Sequence, residues 1–168
     1  MTAPQPSSET EKVWALLEDV KDPEIPVLSI VDLGIAREVN FEDDGSLEVV
    51  ITPTYSGCPA MNMLEEDIKA ALDSNGYTNF RVKTSLHPVW TTDWMTESGR
   101  EKLRAYGIAP PEKSTTNKKV LFGGQKEVPC PHCGSHNTTQ VSEFGSTACK
   151  ALYRCQDCQE PFDYFKCI

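Results

Sequence analysis

Cysteine supplies most of the chemistry open to this 168-residue chain: seven in all, six of them between positions 130 and 167. The pairs Cys130-Pro-His-Cys133 and Cys155-Gln-Asp-Cys158 stand 21 residues apart. Each CxxC sets two thiols on one tight turn, and two such turns can close four thiolates around a single tetrahedral ion. A redox CxxC of the thioredoxin kind wants a βαβ setting that is missing here, and two coincident pairs make chance a poor account. An all-thiolate tetrahedron suits zinc or iron, with zinc the default for a structural site.

Cys149 and Cys167 remain over. If "CKALYRC" and "PFDYFKC" are strands flanking the second knuckle, one hairpin register pairs Arg154 with Phe162, Leu152 with Tyr164 and Cys149 with Cys167. Facing thiols could form a disulfide or a second cofactor site, whereas the plainer reading makes both small buried hydrophobes. His132 and His136 flank the first knuckle and read as exposed turn residues once four thiols are in place. His87, before Pro88, reads as a loop residue.

The seventh cysteine, Cys58, lies in "TPTYSGCPAMNML", where a strand gives way to a helix. With Pro59 in the first helical turn, Cys58 falls at the N-cap, where unpaired amides and the positive dipole end favour an anion. That placement suits a soft-metal ligand, a cluster ligand or a nucleophile, and the alternative is a plain cap. A nucleophile needs a base beside it. His87 is the one histidine in this half of the chain and nothing ties the two together, so an enzyme is not expected.

Positioning these residues falls to two unlike segments. Ser8 and Glu11 have capping-box spacing ahead of an apolar stripe of Val13, Trp14, Leu16, Leu17 and Val20, which predicts an amphipathic helix. The prolines of "DPEIPVLSIVDLG" (22–34) predict an extended path. Ile35, Val39 and Phe41 share a parity, "EDDGS" supplies a turn, and "LEVVITPT" returns as a second strand. A helix over 59–74, a third strand over 80–86 and a last helix over 96–106 complete an α-β-β-α-β-α order. The fold class is therefore α+β: a small domain over 8–111, a linker over 112–127 within a stretch (110–127) that shifts to Pro, Ser, Thr, Gly and Lys, and a β-rich zinc ribbon over 128–168. About 40 residues bury too little to fold unaided, so the ribbon needs its metal.

The net charge of −9 disfavours nucleic acid as a partner, since that affinity comes from neutralising phosphates. No apolar run reaches the ~20 residues of a membrane span. "MTAPQPSSETEK" lacks the basic and apolar regions of an export signal, which predicts a cytoplasmic protein with a short disordered lead-in.

Three stretches, "DPEIPVLSIVDLGI" (22–35), "ITPTYSGCPAM" (51–61) and "PVWTTDWMTESGREKLRAYGIAPP" (88–111), resemble in order and spacing the iron–sulfur cluster assembly domain of SufT-like and cytosolic cluster-targeting proteins. With the cysteine-rich C-terminus added, the chain resembles the PaaD-type accessory proteins of phenylacetyl-CoA epoxidase systems. The resemblance implies a factor that helps mature metal centres of that complex through a transient iron–sulfur cluster or iron, not the oxygenase itself. Its partners would be epoxidase subunits, the iron–sulfur reductase or the diiron oxygenase. It makes Cys58 the family cysteine and Asp22, Pro23 and Glu24 its "DPE" segment. Asp22 and Glu24 are then either acids near a metal path or caps of a loop, while Trp90 and Trp94 are packing residues closing the last helix over the sheet. Two other readings stand beside it: a structural adaptor in which Cys58 is inert, and an electron-transfer component with its own cluster.

Overall fold

The computed structural model describes residues 6–112 and 127–166, with side chains from Ser8. The expected lead-in, most of the expected linker and Cys167 lie outside the described residues. The chain divides into two compact units at Trp90/Thr91, well before the expected boundary at 111. Both are mixtures of helix and sheet, and the α+β class holds.

In the first unit, α1 (Pro6–Asp19) buries Val13 and Leu17, with Val20 just beyond its end. It begins at Pro6, so Ser8 sits inside its first turn and is not the N-cap; proline, with its preset φ and missing N–H, starts a helix readily. The "DPE" stretch is not extended. Asp22 is buried, and its Oδ1 accepts from the Glu24 and Ile25 amides at 2.8 and 2.9 Å. Ser29 and Asp32 cap each other, the Asp32 amide donating to Ser29 Oγ and the Ser29 amide to Asp32 Oδ2. Local side-chain acceptors thus fold the segment into successive turns despite its two prolines.

The sheet has the order β1-β2-β3. β1 (Ala36–Phe41) and β2 (Leu47–Ile51) form an antiparallel hairpin, with a bulge between Ala36 and Glu38. The bulge shifts the parity at the start of the strand, so that Ala36 and Val39, three apart, are both buried; Phe41, at the strand's end, is 36% exposed. Every residue of the central strand β2 is buried, including Glu48, whose carboxylate takes the Arg81 Nε at 2.6 Å. α2 (Met61–Ser74) buries Leu64, Ile68 and Leu72 on one stripe and carries the chain to β3 (Phe80–Thr84), which lies parallel to β2. A parallel neighbour requires such a crossover.

The second unit starts with a 3₁₀ turn (Thr92–Trp94) and α3 (Glu97–Ala105), capped by the Thr96 hydroxyl accepting from the Gly99 amide. β4 (Ile108–Ala109), β5 (Thr138–Ser142), β6 (Lys150–Cys155) and β7 (Pro161–Phe165) form a second sheet in the order β4-β7-β6-β5. Its core gathers Ala109, Val128, Ala151, Tyr153, Phe162 and Tyr164 with Cys130 and Cys155. The last helix therefore belongs to the same unit as the ribbon strands.

Trp90 is 1% exposed, and its indole N–H donates to the Leu33 carbonyl at 2.8 Å. It pins the turns of 22–34 in the first unit, and Trp94 is half-buried in the second. Trp90→Phe leaves a buried carbonyl without its donor. The first unit should lose about 1–3 kcal/mol, read from its urea midpoint by near-UV circular dichroism.

Candidate metal centre

The ribbon thiols converge. The ligand atoms of Cys130, Cys133, Cys155 and Cys158 all lie within 4.8 Å of one another. Across the knuckles, Cys130 Sγ stands 3.8 Å from Cys158 Sγ and Cys133 Sγ 3.6 Å from Cys155 Sγ. Sulfurs placed tetrahedrally at about 2.3 Å from one ion stand about 3.8 Å apart, so the donor set fits a tetrahedral thiolate-binding metal.

Local backbone geometry accounts for this. In the first knuckle the Gly134 amide donates to the Cys130 carbonyl and the Cys130 amide to the Ser135 carbonyl, both at 2.8 Å. The residue after the second cysteine must turn left-handed, and Gly134 does so at φ +78°. In the second knuckle the Cys155 amide donates to the Glu160 carbonyl at 3.0 Å, and the equivalent left-handed position is Gln159 at φ +64°. The knuckles are tied together by Asp157, which accepts from the Ser135 hydroxyl and from Asn137 Nδ2, while the Gln156 amide donates to the Asn137 carbonyl. Sequence reading passed over this lock, whose signal was the short polar run Ser135–Asn137 opposite the aspartate inside the second CxxC.

The thiols are electrostatically unequal. The Cys158 amide, at 3.5 Å, leads the forces that bring the Cys155 thiol down to about 7, against the opposing effect of burial. Cys158 is pushed up to about 12: the Glu160 amide favours its thiolate, but burial and the other three sulfurs outweigh that amide. Four thiolates this close need a counter-charge, and a divalent ion provides one. His132 and His136 are exposed and outside the four-sulfur group, as expected; His136 Nδ1 lies 3.7 Å from the Glu127 carboxylate. His87 is likewise exposed.

The expected register across β6 and β7 is off by one. Arg154 pairs with Pro161, Tyr153 with Phe162 and Leu152 with Asp163, so Cys149 falls opposite Lys166, whose amide donates to its carbonyl at 2.9 Å. Six residues, 155–160, lie between the last paired positions Arg154 and Pro161, and a slip of one residue exchanges the faces of a strand. Cys149 is buried, with its sulfur 3.0 Å from the Thr147 hydroxyl.

Cys58 is not an N-cap. α2 is preceded by Ala60, which has no capping side chain, and Pro59 and Ala60 form a turn in which the Cys58 carbonyl accepts from the Met61 amide at 3.2 Å. The favourable end of the helix is thus displaced from the thiol. Cys58 is half-buried and lies outside the four-thiol group. A run of backbone bonds, Ile30 to Val20, Ile35 to Ile30 and Thr52 to Ile35, joins the Asp22 turn to the strand end that leads into the Cys58 turn. Asp22 itself is engaged as a loop cap.

Cys130→Ser should release the bound metal and abolish amide protection in β5–β7, because the energy of ligation is folding energy in so small a unit. Metal analysis and hydrogen exchange of the full chain read both. Gln159→Gly relieves a left-handed side chain and should raise the stability of the ribbon by about 0.5–1 kcal/mol, read as a shift in its thermal midpoint.

Residues 10–79 match the family model of an iron–sulfur cluster assembly protein, and residues 114–166 match that of the PaaD zinc beta ribbon domain. The chain is 52% identical over 160 residues to an Escherichia coli (strain K12) protein named as a component of 1,2-phenylacetyl-CoA epoxidase, covering 95% of this chain and 94% of that one. It is 34% identical over 97 residues to the Fe-S protein maturation auxiliary factor YitW of Bacillus subtilis (strain 168), covering 57% of this chain and 86% of the relative. Among solved structures, the domain of unknown function DUF59 from Bacillus anthracis superposes with a TM-score of 0.54 at 27% identity, covering 58% of this chain and 92% of that chain. An assembly-type domain bearing a single cysteine, followed by a four-thiol ribbon and matched almost end to end, places this chain in the PaaD family.

Proposed function

We propose that the protein is an accessory factor for metal-centre maturation in a phenylacetyl-CoA epoxidase system, delivering iron or an iron–sulfur cluster and not carrying out the epoxidation. Support comes from the relatives: one bears the name of an epoxidase component and another that of an Fe-S maturation factor. The observation that carries the reading is the separation of two thiol environments in one chain. Four sulfurs form a closed tetrahedral set, while Cys58 is half-buried and stands outside it. The four-thiol set holds zinc as a structural ion. Cys58 is the transient acceptor of iron or a cluster, with Asp22 and Glu24 as neighbours of the transfer path, while Cys149, buried and opposite Lys166, takes the plainer reading of a small buried hydrophobe.

The client is the iron–sulfur reductase or the diiron oxygenase of the complex, and the site of action is the cytoplasm. No helix among the described residues is long and apolar enough to cross a membrane.

Cys58→Ser is the decisive variant, since a hydroxyl in place of the thiol leaves the backbone turn undisturbed. In a host lacking its own related protein, the variant should fail to restore growth on phenylacetate while keeping its ribbon zinc. The iron and acid-labile sulfide of the purified epoxidase subunits should fall with it. Full restoration of growth would make Cys58 inert and the protein an adaptor. A stable chromophore with a reversible redox couple in the purified protein would make it an electron carrier instead.

A further inference from the structure

Among the described residues, one buried side-chain nitrogen finds no hydrogen-bond partner: the Nε of Arg100. Arg100 stands on α3 and is 5% exposed. Its Nη2 donates to the Thr92 carbonyl at 2.7 Å and its Nη1 to the Pro111 carbonyl. These bonds use two of the five N–H donors of a side chain that keeps its charge at any ordinary pH. Backbone carbonyls satisfy donors without neutralising them. A buried guanidinium with an unspent donor calls for an acceptor, and an anionic one forms the stronger bond.

Arg100 lines a cleft of about 460 Å³, a size suited to a small molecule. The cleft lies within the C-terminal unit. Glu97, Arg100 and Arg104 reach it from α3 at positions i, i+3 and i+7, which share one helix face. Much of the remaining wall is proline: Pro110, Pro111, Pro129 and Pro131. Proline presents an apolar ring and no N–H. The Cys130 and Gly134 amides in the same wall are spent on the Ser135 and Cys130 carbonyls. Donors for a ligand thus come chiefly from the two guanidinium groups. The charged lining residues differ in burial: Arg100 is buried, Glu112 is half-buried, and Glu97 and Arg104 are exposed. One negative charge is matched inside, whereas a second would meet the carboxylates of Glu97 and Glu112.

We propose that this cleft binds a small monocarboxylate with an apolar body, an aromatic or alicyclic acid by class. The carboxylate is held by Arg100 and Arg104, and the ring lies against the prolines, where its burial supplies affinity. Glu97 and Glu112 turn away ligands that carry several negative charges. The inference is independent of the reading of Cys58. It also leaves the four sulfurs to their ion, although Cys130 borders both the cleft and the metal centre. Since only the folded unit offers the cleft, occupation stabilises that unit by mass action.

Proton–nitrogen correlation spectra of the isotope-labelled, zinc-loaded full chain test this by titration with sodium benzoate, against sodium chloride at matched ionic strength. The Nε–H resonance of Arg100 should move saturably, together with the amides of Cys130 and Gly134, with half-saturation at about 1 mM. The Nε–H of Arg81, already bonded to Glu48 in the first unit, should stay in place. Benzamide, the neutral isostere, should bind about tenfold more weakly, and so should phthalate with its second carboxylate. Arg104→Gln, at an exposed position on α3, should raise the half-saturation for benzoate about fivefold. An Arg100 resonance that stays fixed up to about 20 mM benzoate overturns the site. Equal binding of benzamide overturns the carboxylate, tighter binding of phthalate overturns the single charge, and unchanged affinity in Arg104→Gln overturns the two-arginine clamp.

Discussion

The tightest constraint on the ribbon is the meeting of four sulfurs within a few ångströms. A sheet of four short strands around a small cluster of aromatic, alanine, valine and cysteine side chains has little apolar surface to set against the entropy of ordering its chain. Two of the four metal-site cysteines are themselves members of that cluster, so the core and the metal site share atoms. Strain is accepted at Gln159, and Asp157 is committed to bridging the knuckles, because each feature improves the convergence of the thiols. The sheet is best understood as a scaffold whose shape follows from that one coordination geometry.

The first unit is held by different means. A central strand buried on both faces, an apolar stripe on each of two helices and carboxylates that cap buried turns hold it together. Here the polar residues do local work. Asp22 and Asp32 satisfy buried amides, and Glu48 is neutralised by Arg81 across the parallel strand pair. A buried carboxylate near a cysteine-bearing turn invites a functional assignment, yet the hydrogen bonds of Asp22 show a structural duty first.

Legibility in the sequence followed the range of the interactions. The two CxxC turns are local, so their spacing alone announced the tetrahedral site, and the apolar stripes of α1 and α2 and the alternation in β3 were equally plain. What failed was set by single residues at the ends of elements. Pro6 starts α1 ahead of Ser8, Pro59 and Ala60 turn before α2 begins, the bulge after Ala36 shifts the buried face at the start of β1, and the knuckle loop shifts the β6–β7 register by one. β4 left no trace at all. Two residues show no periodicity, and their pairing with β7 joins positions more than fifty apart.

The contrast between the two kinds of thiol bears directly on the proposed role. A site with four protein ligands has a full coordination sphere, and nothing can be handed through it without dismantling the fold around it. Transfer requires the opposite: a ligand that contributes one bond and leaves the remaining positions to the donor or the client. Cys58, half-buried in a turn set by backbone hydrogen bonds and displaced from the helix end, meets that requirement. Within the proposed function, the ribbon keeps its ion so that the unit stays folded, and Cys58 gives its cargo up.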